Sequence, residues 1–153
     1  MRSPPDATFS NGRAGAKPGL YRQGWYDNDR STEAGRFVAV DPFRALDTRV
    51  SPGSPVGPNT SFPLQMVPGP PLPSSGVGAV VVNTTAVQPT ASGFVTVFPD
   101  PPPPPLASNL NFTPGAIVPN LVAVRVPGDG KVDFFNKFGF THLVVDVFGY
   151  FTG

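Results

Sequence analysis

A carboxylate and a guanidinium stand two positions apart in the segment Leu46-Asp-Thr-Arg49. Side chains at this spacing project from the same face of a β-strand, so Asp47 and Arg49 can form a charge-assisted pair. Such a pair can either stabilise nearby loop backbone or hold a polar ligand. We predict the first role, a structural polar clamp, and keep the ligand clamp as the alternative.

Catalytic constellations are difficult to assemble from this sequence. His142 is the only histidine, and Asp146 follows it by four positions, about 13 Å along an extended strand, which is too far for a hydrogen bond. The segment from Phe37 onward contains aspartates but no glutamate, and the chain has no cysteine. It also has no phosphate-binding glycine loop and no EF-hand loop. We therefore predict a protein that is not an enzyme and that holds no cofactor and no metal.

Charge and hydropathy give little reason for a nucleic-acid or membrane partner. Eleven Lys and Arg face ten Asp and Glu, and the net charge of +1 creates no field that would draw the chain to either surface. No apolar run approaches the ~20 residues of a membrane helix. The first thirty residues lack the apolar core of a secretory signal, so we expect the protein either to stay in the cytoplasm where it is made or to leave by another route such as lysis.

Residues 1–36 have the composition of an extended arm. They show neither helical nor strand periodicity, yet they contain the only tryptophan of the chain, with six basic and four acidic residues. Such a segment is either a disordered tail or an arm that orders on a partner, and aromatic and arginine side chains are enriched at interface hot spots. We predict a partner-binding arm whose contacts are made by Tyr21, Arg22, Trp25, Tyr26 and Arg30.

Residues 37–153 are predicted to form an all-β domain. Short segments rich in Val, Phe, Leu and Thr alternate with turn signals, which indicates about eight short strands in an antiparallel β-sandwich or a jelly-roll-like barrel. Pro127-Gly-Asp-Gly130 is predicted to close a tight hairpin, and Asn136–Phe140 the next one. The predicted strands are Phe37–Val40, Arg44–Val50, Gly78–Val87, Gly93–Phe98, Ala107–Phe112, Leu121–Val126, Lys131–Phe135 and His142–Phe148.

Two proline-rich stretches are predicted to be loops. Residues 51–75 contain eight prolines and three glycines, which favours a long surface loop. Residues 99–105 are almost all proline, which favours a stiff polyproline II connection that cannot extend a sheet edge.

Several predicted strands carry apolar residues on both faces, as Leu121–Val126 does. One face would lie between the sheets and the other against a second subunit, so we expect a homo-oligomer. The C-terminal aromatic residues either belong to such an intersubunit surface or fill a single core; they are Phe134, Phe135, Phe138, Phe140, Phe148, Tyr150 and Phe151.

Six sequence blocks in a fixed order carry a family resemblance. They are FVAVDPFRALDTR (37–49), GVGAVVVNTTAVQPTASGFVTVFP (76–99), LASNLNFTPG (106–115), VPNLVAVRV (118–126), GDGKVDFFN (128–136) and THLVVDVFGYF (141–151). This order resembles a β-rich domain that recurs in exported actinobacterial proteins, often in tandem, and in tail or other virion proteins of actinobacteriophages. Bacterial members usually carry export signals and several copies, so a single copy without a visible signal favours a virion component.

The resemblance implies a structural protein of an actinobacteriophage virion. We expect a capsid decoration protein that is assembled in the host cytoplasm, with the arm binding the major capsid protein or other virion subunits. The alternative is a module of a tail or envelope protein that binds glycan at a cell surface. That alternative requires an exposed aromatic platform, for which Trp25, Tyr150 and Phe138 are the candidates.

Overall fold

The computed structural model describes residues 34–101 and 103–153. This part of the chain forms two four-stranded antiparallel sheets, a β-sandwich, and contains no helix. The predicted all-β class is therefore confirmed. The strands are β1 (Phe37–Asp47), β2 (Thr60–Gln65), β3 (Val77–Val87), β4 (Gly93–Pro99), β5 (Leu110–Phe112), β6 (Ile117–Arg125), β7 (Lys131–Asn136) and β8 (His142–Thr152).

The chain changes sheet at nearly every connection between these strands. The first sheet has the order β1-β8-β3-β6 and the second has the order β2-β7-β4-β5. Only β4 and β5 are consecutive strands of one sheet, and the proline-rich segment lies in the connection between them. Turns in this fold therefore mostly link the two layers.

The prediction of a hairpin at Pro127–Gly130 is wrong, although the turn itself exists. Gly130 N–H donates to Pro127 O at 2.9 Å, but the turn leads from β6 in the first sheet to β7 in the second. The carbonyl of Gly130 accepts hydrogen bonds from the N–H groups of Met66 and Val67, at 2.8 and 3.0 Å. These bonds hold the turn beside the end of β2, which lies next to β7. The segment Asn136–Phe140 likewise connects the sheets and closes no hairpin.

The prediction of an uninterrupted surface loop over residues 51–75 is also wrong. The segment contains β2, and three of its side chains are buried in the core: Val56, Met66 and Leu72. The sequence pattern did not predict this strand because Pro63 lies within it. An edge strand tolerates proline because one side of its backbone has no ladder to maintain. The same reasoning explains β1, which continues through Pro42 with a register shift instead of forming two strands.

Alternation along the strands places the core between the two sheets. On β3, Val80, Val82, Thr84 and Ala86 are buried, and the residues between them are partly exposed. Val80, Val82 and Ala86 belong to one apolar cluster with residues of the opposite sheet, including Phe134 on β7, which is fully buried. Each large side chain buried in this way contributes about 1.5–3 kcal/mol to the free energy of unfolding.

Candidate interaction surfaces

The five residues predicted for the arm lie outside the described part of the chain. They are Tyr21, Arg22, Trp25, Tyr26 and Arg30. Their role in binding a partner therefore stays a prediction.

Asp47 and Arg49 lie together at the end of β1. Asp47 is the last residue of the strand and Arg49 belongs to the following turn, so the pair spans a chain reversal and not one strand face. Arg49 donates from Nε to Oδ1 of Asp47 at 2.8 Å and from Nη2 to Oδ2 at 2.6 Å, a bidentate arrangement. The same carboxylate accepts the Arg49 backbone N–H at 3.1 Å.

Two further charges extend this pair across the first sheet. Arg44 donates to Oδ2 of Asp47 at 3.3 Å and from Nε to Oδ1 of Asp146 on β8 at 2.8 Å. The hydrogen bonds from Arg49, together with both positive charges, lower the pKa of Asp47 to about 2. The stability that this carboxylate contributes is therefore present above its ordinary value of 3.8 and is lost as the pH falls through about 2. Two guanidiniums and two carboxylates satisfy one another, an arrangement that ties β1 to β8.

His142 begins β8 and contacts a threonine. Its Nδ1 lies 3.0 Å from Oγ1 of the fully buried Thr48, and the same oxygen accepts the N–H of Leu143 at 2.9 Å. The Thr48 hydroxyl can donate to Nδ1, which places the proton of the neutral imidazole on Nε2. Asp146 pairs with Arg44. His142 instead contacts Thr48, and this contact links the start of β8 to the residue that follows β1.

Three aspartates lie close together where β7 begins. Asp133 on β7 is almost completely buried, with 1% of its surface exposed, and its carboxyl interacts with those of Asp100 and Asp129. Burial, followed by the contact with Asp100, raises the pKa of Asp133 to about 6. The folded state thus holds this proton more tightly than the unfolded chain. The corresponding stability is fully present below about pH 4 and is lost as the pH rises through about 6.

The C-terminal aromatic residues divide between the core and the surface. Phe134 and Phe135 are buried, and Tyr150 packs against the core. In contrast, Phe138 and Phe140 are each 50% exposed and Phe148 is 40% exposed. The expectation that these residues fill a single core therefore holds for part of the set, and whether a second subunit covers the exposed rings stays a prediction.

Phe138 lies in a small aromatic group at one end of the sandwich. Its ring meets that of Phe94 edge to face, with centroids 6.4 Å apart. The Nζ of Lys137 lies 5.7 Å from the Phe138 centroid and donates to Oδ1 of Asn59 at 3.2 Å. This group combines a half-exposed phenylalanine with polar atoms.

Asn136 organises the loops beneath these aromatic residues, a role that the sequence did not suggest. Its side chain is fully buried, and Nδ2 lies 3.1 Å from Val56 O, 3.1 Å from Gly57 O and 2.7 Å from Gly139 O. The amide oxygen Oδ1 has no hydrogen-bond partner within the described region. One amide group thereby fixes the two chain segments that carry Phe140 and the start of the β2 region.

Apolar side chains are also exposed on β6, at the edge of the first sheet. Ile117 is 68% exposed and Leu121 is 61% exposed, while Val122 and Val124 face the core. The predicted two-sided apolar character of this segment is present in the fold. Whether a second subunit covers its outer face stays a prediction.

No protein-family model matches the chain, and no curated protein matches it. Over residues 34–101 and 103–153, the structure has no helix that is long and apolar enough to cross a membrane. The same residues include no group of three or more His, Cys, Asp or Glu side chains that could hold a metal ion.

Proposed function

We propose that this protein is a non-enzymatic structural component of an actinobacteriophage virion, a decoration protein on the capsid surface. The arm, residues 1–36, attaches it to the major capsid protein or to a neighbouring virion subunit. The β-sandwich is the displayed body. The virion setting rests on the resemblance of residues 37–153 to a domain found in such proteins.

The observation that carries this proposal is the distribution of exposed apolar side chains. A subunit in a shell meets neighbours on several sides, and apolar side chains form the buried centre of such contacts. The sandwich exposes large apolar side chains in separate places: Ile117 and Leu121 on β6, Phe138 and Phe140 between β7 and β8, and Phe37 and Phe148 on β1 and β8. Each place is small, so attachment through many copies would add up by avidity.

Capsid binding by full-length variants tests the proposal. Alanine substitution of the four arm residues Tyr21, Arg22, Trp25 and Tyr26 should abolish co-sedimentation with capsids that lack the protein. A matched pair of aromatic substitutions on the sandwich, Phe138→Ser with Phe140→Ser, should leave most of the binding intact. Wild-type co-sedimentation by the arm variant would contradict attachment through the arm, and failure of wild-type protein to bind capsids would contradict the decoration role.

The second candidate function is glycan binding by a tail or envelope protein. Phe138 supports it, because its ring is half exposed beside the Lys137 and Asn59 polar groups. Of the other two platform candidates, Tyr150 packs against the core and Trp25 lies outside the described residues. Host cell-wall glycan should then bind the wild-type protein and the arm variant equally. Phe138→Ser should lose that binding, and equal binding by Phe138→Ser would contradict this candidate.

A further inference from the structure

The backbone of β6 presents an open hydrogen-bonding edge. β6 pairs only with β3 among the described strands, in a regular antiparallel register such as Val80 with Val124. Val126 N–H donates to Gly78 O, and Gln88 N–H donates to Ala116 O, both at 2.9 Å. Hydrogen-bonded pairs alternate along an antiparallel ladder, so every even-numbered residue of β6 bonds with β3. Every odd-numbered residue therefore points its backbone groups toward the open edge.

Proline blocks part of this edge and leaves the rest usable. Pro119 is odd-numbered, so the N–H that it lacks is one that would face the open side. Beyond it, Leu121, Ala123 and Arg125 present both N–H and C=O outward. The open run therefore extends from Leu121 to Arg125.

The other three edges of the described sandwich are less suited to pairing. β1 contains Pro42 and two register shifts, β2 contains Pro63, and β5 has only three residues. Irregularity, proline and short length are the devices by which edge strands avoid pairing with other chains. Leu121–Arg125 has none of them.

We infer that this edge pairs with the same edge of a second copy of the chain, antiparallel and about a twofold axis at Ala123. Leu121 then lies opposite Arg125 of the other copy, and Ala123 lies opposite its equivalent. Each of these directly opposed pairs exchanges two N–H···O bonds. The result is a first sheet that continues through both subunits.

A second copy fits this edge better than an unrelated strand for two reasons. In this register, both copies pair through the same residues, Leu121–Arg125. Pro119 of each copy therefore lies outside the paired segment. The register also separates the two Arg125 side chains by about 14 Å along the ladder while placing each aliphatic stem over the exposed Leu121 of the other copy. The pairing does not depend on the proposed virion role.

A single cysteine tests the register directly, because the natural chain contains none. Ala123→Cys places two thiols opposite each other, with Cβ atoms about 4.5–5.5 Å apart. A short bis-maleimide reagent should then give a covalent dimer in high yield. Val50→Cys, whose position is 79% exposed in the turn that follows β1 at the opposite edge of the first sheet, should give only the slow coupling of random encounters.

The mass in solution completes the test. Light scattering after size-exclusion chromatography should give twice the chain mass for the wild type and for Ala123→Val, which keeps the N–H. Ala123→Pro removes an outward N–H without touching a bond to β3, so it should give the mass of one chain. Wild-type protein that stays monomeric overturns the inference. So does a dimer in which Ala123→Cys couples no faster than Val50→Cys, because the copies would then meet elsewhere.

Discussion

Replacement of Asn136 by aspartate should destabilise the fold more than any conservative change on the surface. The amide nitrogen of Asn136 faces three carbonyl oxygens at 2.7–3.1 Å in a fully buried position. This geometry fixes the orientation of the amide, since a rotated side chain would point its oxygen at those carbonyls. Aspartate presents an oxygen in the same place and donates nothing while it is ionised.

The size of the effect follows from the bonds that are lost. Val56 O keeps the N–H of Thr141 as a donor, at 3.1 Å, but Gly57 O and Gly139 O lose theirs. Each carbonyl left without a partner costs about 1–3 kcal/mol, so the free energy of unfolding should fall by about 2–6 kcal/mol at pH 7. Asn136→Leu loses the same donors but also removes the unpartnered Oδ1, so its cost should be smaller. Protonation lets the aspartate donate one hydrogen bond, so the deficit of Asn136→Asp should shrink as the pH falls.

Urea unfolding at pH 7 and at acidic pH measures these differences against the wild type at each pH. Asn111→Asp on β5 is the control, because Asn111 is exposed and the same change there should cost little. If Asn136→Asp lost less than about 1 kcal/mol, or if Asn136→Leu were as stable as the wild type, the hydrogen-bonding role would be refuted. The leucine variant keeps the test usable if the aspartate variant does not fold.

Three further substitutions have defined outcomes. Urea titration of the wild type should show a loss of stability between about pH 4 and 6, and Asp133→Asn should abolish this loss. Asp41→Asn, at an exposed position, should leave the pH dependence of stability unchanged. Thr84→Val should raise the free energy of unfolding by about 1 kcal/mol, because the buried hydroxyl has no partner; a lower thermal midpoint would contradict this. Gly130→Ala should prevent normal folding, since φ is +75° and a Cβ would lie 1.6 Å from Val67 O, and a wild-type melting curve would disprove that contact.

The sequence predicts the fold class well because strand signals are local. β3, β4 and β7 agree with their predicted bounds to within a residue, since β-branched and aromatic runs identify them without tertiary information. The residues of a turn such as Pro127–Gly130 also predict a chain reversal from local sequence. Its residues do not reveal whether the next strand joins the same sheet, because that depends on distant contacts with Met66 and Val67.

The same limit applies to the polar residues. The spacing of Asp47 and Arg49 suggested their pairing, but the partnership of Arg44 with Asp146 depends on the register of β1 against β8. Asn136 resembled an ordinary turn residue, although its buried amide joins segments about 80 positions apart. No pattern within a short window could predict either contact.

The position of β8 has a consequence for biosynthesis. Among the described strands, β1 pairs only with β8, an inner strand of the first sheet that follows the other seven along the chain. About 95 residues separate the end of β1 from the start of β8, so at roughly 5–20 residues per second β1 waits on the order of 5–20 s for its partner. The first sheet cannot close on the ribosome until β8 has emerged. During that interval the nascent chain exposes strands whose backbone N–H and C=O groups are unpaired. Chaperones or other nascent copies could bind these groups.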